Sequence, residues 1–207
     1  MKQKNIIIGK GAKIDGTVVL GYIPERRTRL SKKVTIGKKA YIRSNTVIYL
    51  GVKIGDDLNV GHNVVIREEN SIGNSFNIWS NSIVDYGCKI GNRVKLHSNV
   101  YVAQFTVLED DVFLAPGVII GNDMHPGCKF SKKCLKGPVV KKGAQVGINA
   151  TILPRVIIGK HVLIGAASVV TQDIPDYSMA FGNPARVHGD VREIRCKTDL
   201  TDYPYKF

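Results

Sequence analysis

From Ile36 to Ile120 every sixth residue is Ile, Val or Leu, without exception. The chain reads IGKKAY, IRSNTV, IYLGVK, IGDDLN, VGHNVV and onward to LAPGVI. The pattern resumes at Val140 with VKKGAQ, VGINAT, ILPRVI, IGKHVL, IGAASV and VTQDIP, and Ile8, Ile14 and Leu20 keep the same spacing. A period of six is neither the 3.6-residue stripe of an amphipathic helix nor the sustained alternation of a long strand. It fits short strands joined by tight corners, with one large apolar side chain directed inward per strand. The fifth position of each hexad is usually small or β-branched, as at Ala40, Thr46, Val52, Val64, Ser82 and Val94. The second is often Gly, as at Gly37, Gly55, Gly61, Gly73, Gly147 and Gly165. Gly and Asn are expected to supply the positive φ that corners need. Three hexads make a triangular coil of 18 residues, and coils stacked ~4.8 Å apart build a parallel β-helix.

Two stretches break the period. GYIPERRTRLSKK, 21–33, is a basic insertion carrying Arg26, Arg27, Arg29, Lys32 and Lys33. GNDMHPGCKFSKKC follows Ile120 and opens a longer interruption, 121–138. The last residues, 181–207, lose the period and are expected to cap the final coils, with a short helix around Ala185–Arg195. The chain therefore divides into a β-helix over 1–180, with insertions at 21–33 and 121–138, and a capping segment. The opening MKQKNIIIGKGAK does not read as a signal peptide, and no apolar run approaches the ~20 residues of a membrane helix. A cytoplasmic protein away from membranes is the expectation. Thirty Lys and Arg against 17 Asp and Glu leave a net charge of +13, which favours anionic partners.

The hexads over about residues 5–175 resemble the hexapeptide-repeat family of left-handed parallel β-helices, whose members are most often acyl-CoA-dependent transferases. The expected fold is thus all-β, a left-handed parallel β-helix with three strands per coil, an extended loop and a short C-terminal appendage. LEDDVFLAPGVIIGNDMHPG resembles the coil and loop of galactoside- and maltose-type sugar O-acetyltransferases. That resemblance implies the base role for His125, which is followed by Pro126. GNDMHP also resembles N-acetyltransferases acting on nucleotide-linked amino sugars. VGINATILPRVIIGKHVLIGAASVVTQDIPDYSMAFGNPARV resembles the coenzyme-binding coils and ends in the family's GNPARV. The resemblance implies acetyl-CoA as co-substrate and a sugar acceptor, foremost the amino or hydroxyl group of a nucleotide-linked sugar. It also implies a homotrimer with coenzyme A between neighbouring subunits.

The chemistry needs a proton acceptor, because an acceptor hydroxyl or ammonium is a poor nucleophile until deprotonated. A histidine with pKa near ~6.5 suits that role. Asn122 and Asp123 are placed to orient the imidazole or the substrate. His97, in KLHSNVY, lies 18 residues below Ala115 and is expected near the root of the loop, binding acceptor with Asn99 or serving as an alternative base. Gly147, Gly165, Ala166 and Ala167 carry little bulk, so backbone amides there should approach the coenzyme, with Lys160 and Arg186 as phosphate partners. The basic insertion, about 19 Å away over four coil steps, reads as a solvated or partner-binding loop.

Other classes stay open. His125, Cys128 and Cys134 form H-x2-C-x5-C, but a structural zinc wants four closely paired ligands, and no metal is expected. Cys128 and Cys134 could form a disulfide; free thiols are the simpler reading. A carbonic anhydrase of this fold needs converging histidines, and those here are all more than twenty residues apart. A non-catalytic assembly subunit is the main alternative. Nucleic-acid binding rests on charge alone, without aromatic and basic interleaving, and is not expected.

Overall fold

The computed structural model describes residues 5–25, 33–205 and Phe207. The coils wind as a left-handed parallel β-helix. Its three faces are two sheets of eight strands and one of ten, most strands being only two residues long. Face A runs from Ile6–Ile8 to Ile157–Ile158, face B from Lys13–Ile14 to Leu163–Ile164, and face C from Val19–Tyr22 to Val169–Val170.

Each inward apolar residue sits over its counterpart one coil away. On face A the column is Ile36, Ile54, Ile72, Ile90, Leu108, Val140 and Ile158. The step of 18 fails at Ile8↔Ile36 and Leu108↔Val140. Both extra lengths leave from the corner between faces C and A, so the helix continues in register beneath them. Fifth-position residues complete the core, and this position also takes Leu58 and Phe76, which are fully buried. Where it is hydroxylated the polar group is satisfied: Ser82 Oγ donates to His97 O at 2.7 Å and Ser168 Oγ to Gly165 O at 2.8 Å.

The corners assign glycine differently from the sequence reading. Positive φ falls on the fourth position, at Lys39, Asn45, Asp57, Asn63, Asn99 and Ala167 among others, mostly not glycine. Second-position glycines are required by stacking: a Cβ on Gly61 would lie 2.6 Å from Ser80 N, and one on Gly147 2.6 Å from Ala166 N. At the A/B corner a ladder of third-position side chains caps the coils below. Asp56 Oδ1 accepts Lys38 N–H (2.7 Å), Asn74 Oδ1 accepts Asp56 N–H (2.8 Å) and Asn92 Oδ1 accepts Asn74 N–H (2.9 Å).

The expected helix around Ala185–Arg195 is instead strand Ala185–Asp190 followed by a 3-10 turn at Val191–Glu193. Ser178–Gly182 pairs in parallel with Leu163–Ile164, and Ala185–Asp190 folds back on it antiparallel. The open top edge of face B offers unpaired backbone groups, and pairing with them outweighs the weak helix preference of a segment holding Val187 and Gly189. The residues Arg26, Arg27, Arg29 and Lys32 of the basic insertion lie outside the described residues. No helix among those described is long and apolar enough to cross a membrane.

Phe76 has the largest fully buried side chain. Phe76→Ala should cost about 3–5 kcal/mol through the cavity it leaves. Thermal unfolding should fall by about 6 °C or more; an unchanged midpoint would contradict the packing described.

Candidate active site

The B/C corner carries a column of second-position residues: Arg43, Gly61, Trp79, His97, Ala115, Gly147 and Gly165. His97 marks a change of character along it. Its N–H donates to Leu114 O at 2.9 Å. Its half-buried imidazole stacks on Trp79, with centroids 4.5 Å apart and planes at 27°, and meets Phe113 edge-on at 5.4 Å. Above it the column carries only Ala115, Gly147 and Gly165, and Ile148, Ala166 and Ala167 beside it are exposed. Phe181, stacked on His188 at 3.8 Å, closes the upper end over Gly165. Arg186 lies beside it, paired across the hairpin with Phe181. Asn99, exposed at φ 61°, shares this corner with His97.

Two expectations change here. The N–H groups of Gly147, Gly165 and Ala167 are already donated to Ile164 O (2.8 Å), Ala180 O (2.9 Å) and Ile148 O (2.7 Å). At these three positions the small residues therefore supply shape rather than free amides. Lys160 stands on the A/B corner, its N–H held by Asp176 Oδ1 at 2.8 Å, away from the glycine column.

The C/A corner holds a polar cluster that the sequence reading missed. Arg67 donates to both oxygens of fully buried Glu68, at 3.2 and 3.1 Å, and pairs with Asp85 Oδ1 at 3.2 Å. Its guanidinium also lies over the rings of Tyr49 and Tyr86. Asp85 Oδ2 accepts the Tyr101 hydroxyl at 3.0 Å and the Gln104 amide. Gln104 Oε1 in turn accepts from Asn122 Nδ2, at the first turn of the long loop. Burial foremost, and then the charge of Asp85, push the Tyr101 phenol up to about 12. Behind the cluster, Asn70 Oδ1 accepts the Cys88 N–H at 2.7 Å. A faint signal was present: Asn70 and Cys88 occupy inward fifth positions where Val is the commonest residue.

The loop is tied at both ends and through its middle. Lys136 N–H donates to Asn122 O at 2.9 Å. Asp123 accepts the His125 N–H (3.0 Å) and the Ser131 hydroxyl (2.6 Å), bonds that hold its carboxyl below the usual range. Asn122 and Asp123 thus position the loop backbone rather than the imidazole. Ser131–Cys134 forms one helical turn, and Arg155 donates to Cys134 O at 3.0 Å. His125 is exposed at the tip. His97 is not near the loop's root: Gly121 leaves from the next corner of the triangle. Within one chain His97 and the root of the loop that carries His125 stand on different corners.

No group of three or more His, Cys, Asp or Glu among the described residues could hold a metal ion. Cys128 and Cys134 are free thiols, as are Cys88 and Cys196.

Residues 33–68 match the family described as the hexapeptide repeat of succinyl-transferase, and residues 137–172 match the bacterial transferase hexapeptide family (six repeats). These two stretches carry the hexapeptide repeat, and the fold around them is the parallel β-helix. It is 50% identical over 64 residues to the dTDP-3-amino-3,6-dideoxy-alpha-D-galactopyranose 3-N-acetyltransferase of Aneurinibacillus thermoaerophilus, covering 31% of this chain and 33% of the relative. It is 35% identical over 95 residues to the galactoside O-acetyltransferase of Lactococcus lactis, covering 42% and 44% respectively. The chain thus spans between a third and a half of these relatives' lengths. Among solved structures, the polySia-specific acetyltransferase NeuO matches with TM-score 0.57 and 21% identity over 97% of this chain and 86% of its own. The UDP-N-acetylglucosamine acyltransferase of Campylobacter jejuni also gives 0.57, at 15% identity, covering 90% and 80%. At these identities the structures establish the fold alone.

The thiols provide a check on the local environments. Hydrogen bonding from Thr198 holds Cys196 down at about 7, whereas burial pushes Cys88 up to about 12. Alkylation followed by peptide mapping should label Cys196 with a rate rising through pH ~7 and leave Cys88 unlabelled until the protein unfolds. Labelling of native Cys88 at a comparable rate would contradict the buried C/A cluster.

Proposed function

We propose that the protein transfers the acetyl group of acetyl-CoA to the amino or hydroxyl group of a nucleotide-linked sugar. The observation that carries this reading is the B/C column, in which a stretch of small second-position residues ends at an imidazole. This stretch is the proposed channel for a pantetheine arm, with Arg186 at its upper end for phosphate and His97 where the thioester would stop. Similarity over part of the chain to an amino-sugar N-acetyltransferase and a galactoside O-acetyltransferase supports the same class.

In the proposed reaction, a histidine takes the proton from the acceptor as its nitrogen or oxygen attacks the thioester carbonyl. The tetrahedral intermediate then breaks its C–S bond, and the leaving thiolate recovers that proton. The proposal gives the base role to His125, with His97 holding the acceptor from the coil side. These residues project from different corners, so a complete site requires a second copy of the chain. A homotrimer, in which the loop of one subunit meets the B/C corner of the next, satisfies that requirement. The free thiols suit a reducing, cytoplasmic setting.

Thiol release from acetyl-CoA should be measured with nucleotide-linked amino sugars, free amino sugars and galactosides as acceptors. His125→Ala should lower turnover by ~10²–10⁴-fold. Ala166→Trp, which fills the channel, should abolish coenzyme binding. Mixed oligomers of these two inactive variants should regain part of the activity, because some interfaces then combine an intact loop with an intact channel. No thiol release with any acceptor at millimolar coenzyme would overturn the assignment, and failure to complement would confine the site to one chain.

A further inference from the structure

The C/A corner holds a carboxylate that the proposed reaction does not use. Asp85 is buried, and each of its oxygens meets two donors. Oδ1 pairs with Arg67 at 3.2 Å and accepts the Tyr86 N–H at 2.8 Å. Oδ2 accepts the Tyr101 hydroxyl at 3.0 Å and the Gln104 amide. A carboxylate only accepts, with room for about four hydrogen bonds. Gln104 must therefore turn Nε2 toward Asp85, which leaves its Oε1 for Asn122. Asn122 must in turn offer Nδ2, so one buried charge decides which way two successive amides face. Asn122 opens the loop and takes the Lys136 N–H on its backbone oxygen at 2.9 Å. The next residue, Asp123, accepts the His125 N–H at 3.0 Å and the Ser131 hydroxyl at 2.6 Å.

We propose that Asp85 is a positioning residue for the loop, acting through the amides of Gln104 and Asn122 to hold His125 in one place. This role rests on the reading of His125 as the base. The lock is one of polarity rather than of shape. Asp85→Asn keeps the size but introduces a donor among donors. The guanidinium of Arg67 and the Tyr86 N–H cannot adapt, so the new amide turns its NH₂ toward Gln104. Gln104 relieves the conflict by turning its oxygen to residue 85, which sets its own NH₂ against that of Asn122. A buried donor left facing a donor costs the desolvation of that group, and the mismatch is passed to the first turn of the loop. Gln104→Glu breaks the relay at the same joint by setting two carboxylates against each other. With both changes the carboxylate has moved one step along: the new amide at 85 donates to the new carboxylate at 104, which receives Asn122 Nδ2 as before.

The test compares Asp85→Asn, Gln104→Glu and the double variant by hydrogen exchange of the intact protein and by acetyl transfer. Each single variant should speed exchange of the 121–138 amides about tenfold or more and leave that of the 139–170 coils unchanged. Turnover should fall by about tenfold or more in each, with KM for acetyl-CoA unchanged. The double variant should bring both readouts back to within about threefold of the wild type, a recovery that loss of packing alone does not give. If Asp85→Asn alone does not fold, Gln104→Glu and its recovery on adding Asp85→Asn carry the test. Loop exchange unmoved by the single variants, or a double variant no better than the worse single, would overturn the role of Asp85. Unchanged turnover in a variant whose loop exchange has risen would also overturn it. The full exchange pattern in a protein that releases no thiol from acetyl-CoA would uphold the relay's hold on the loop and remove the transferase reading.

Discussion

Everything in this molecule depends on the hydrogen-bonded stacking of one coil on the next. Most strands are only two residues long, too short to persist by themselves, and their N–H and C=O groups are satisfied by the coils above and below. That dependence fixes the register. A slip of one residue would turn the column from Ile36 to Ile158 outward and expel the core. It also forbids a Cβ where successive backbones press together at Gly61 and Gly147.

Rigid register turns sequence spacing into spatial adjacency, so the chemistry is organised in columns rather than loops. On the B/C corner the column passes from Arg43 through rings at Trp79 and His97 to a bare stretch at Gly147 and Gly165. On the C/A corner the same stacking lines up Arg67, Asp85, Gln104 and Asn122 so that the cluster reaches the loop without a gap. Buried charge at Glu68 and Asp85 is tolerated because Arg67 and the Tyr101 hydroxyl meet it. The loop is thereby attached to the rigid body through Asn122 and braced internally by Asp123.

Much of this was legible in the hexads. The inward Ile, Val and Leu positions, the coil of 18 and the two interruptions follow from periodicity, because one buried side chain per short strand leaves a mark that no other architecture repeats so long. What the sequence reading overlooked was which corner each residue faces. His97 and the loop after Ile120 look close along the chain, yet 24 residues separate His97 from Gly121, which is one full coil plus one side. Lys160, read as a phosphate partner of the coenzyme, likewise stands on a different corner from the glycine column. The C/A cluster went unread because its members are scattered from Arg67 to Asn122 and only stacking brings them together. The C-terminal strand was missed because its partner, Ser178–Gly182, is set as a strand only by docking on the open edge of face B in the folded chain.

The central claim is that the B/C corner is the track along which the substrates meet. A crystal structure of the protein with coenzyme A tests it most directly. The account predicts the pantetheine arm beside Ile148, Ala166 and Ala167, with its sulfur at His97 and its phosphates toward Arg186. Coenzyme bound along the A/B corner beside Lys160, or on a single chain without a second copy completing the site, would contradict it.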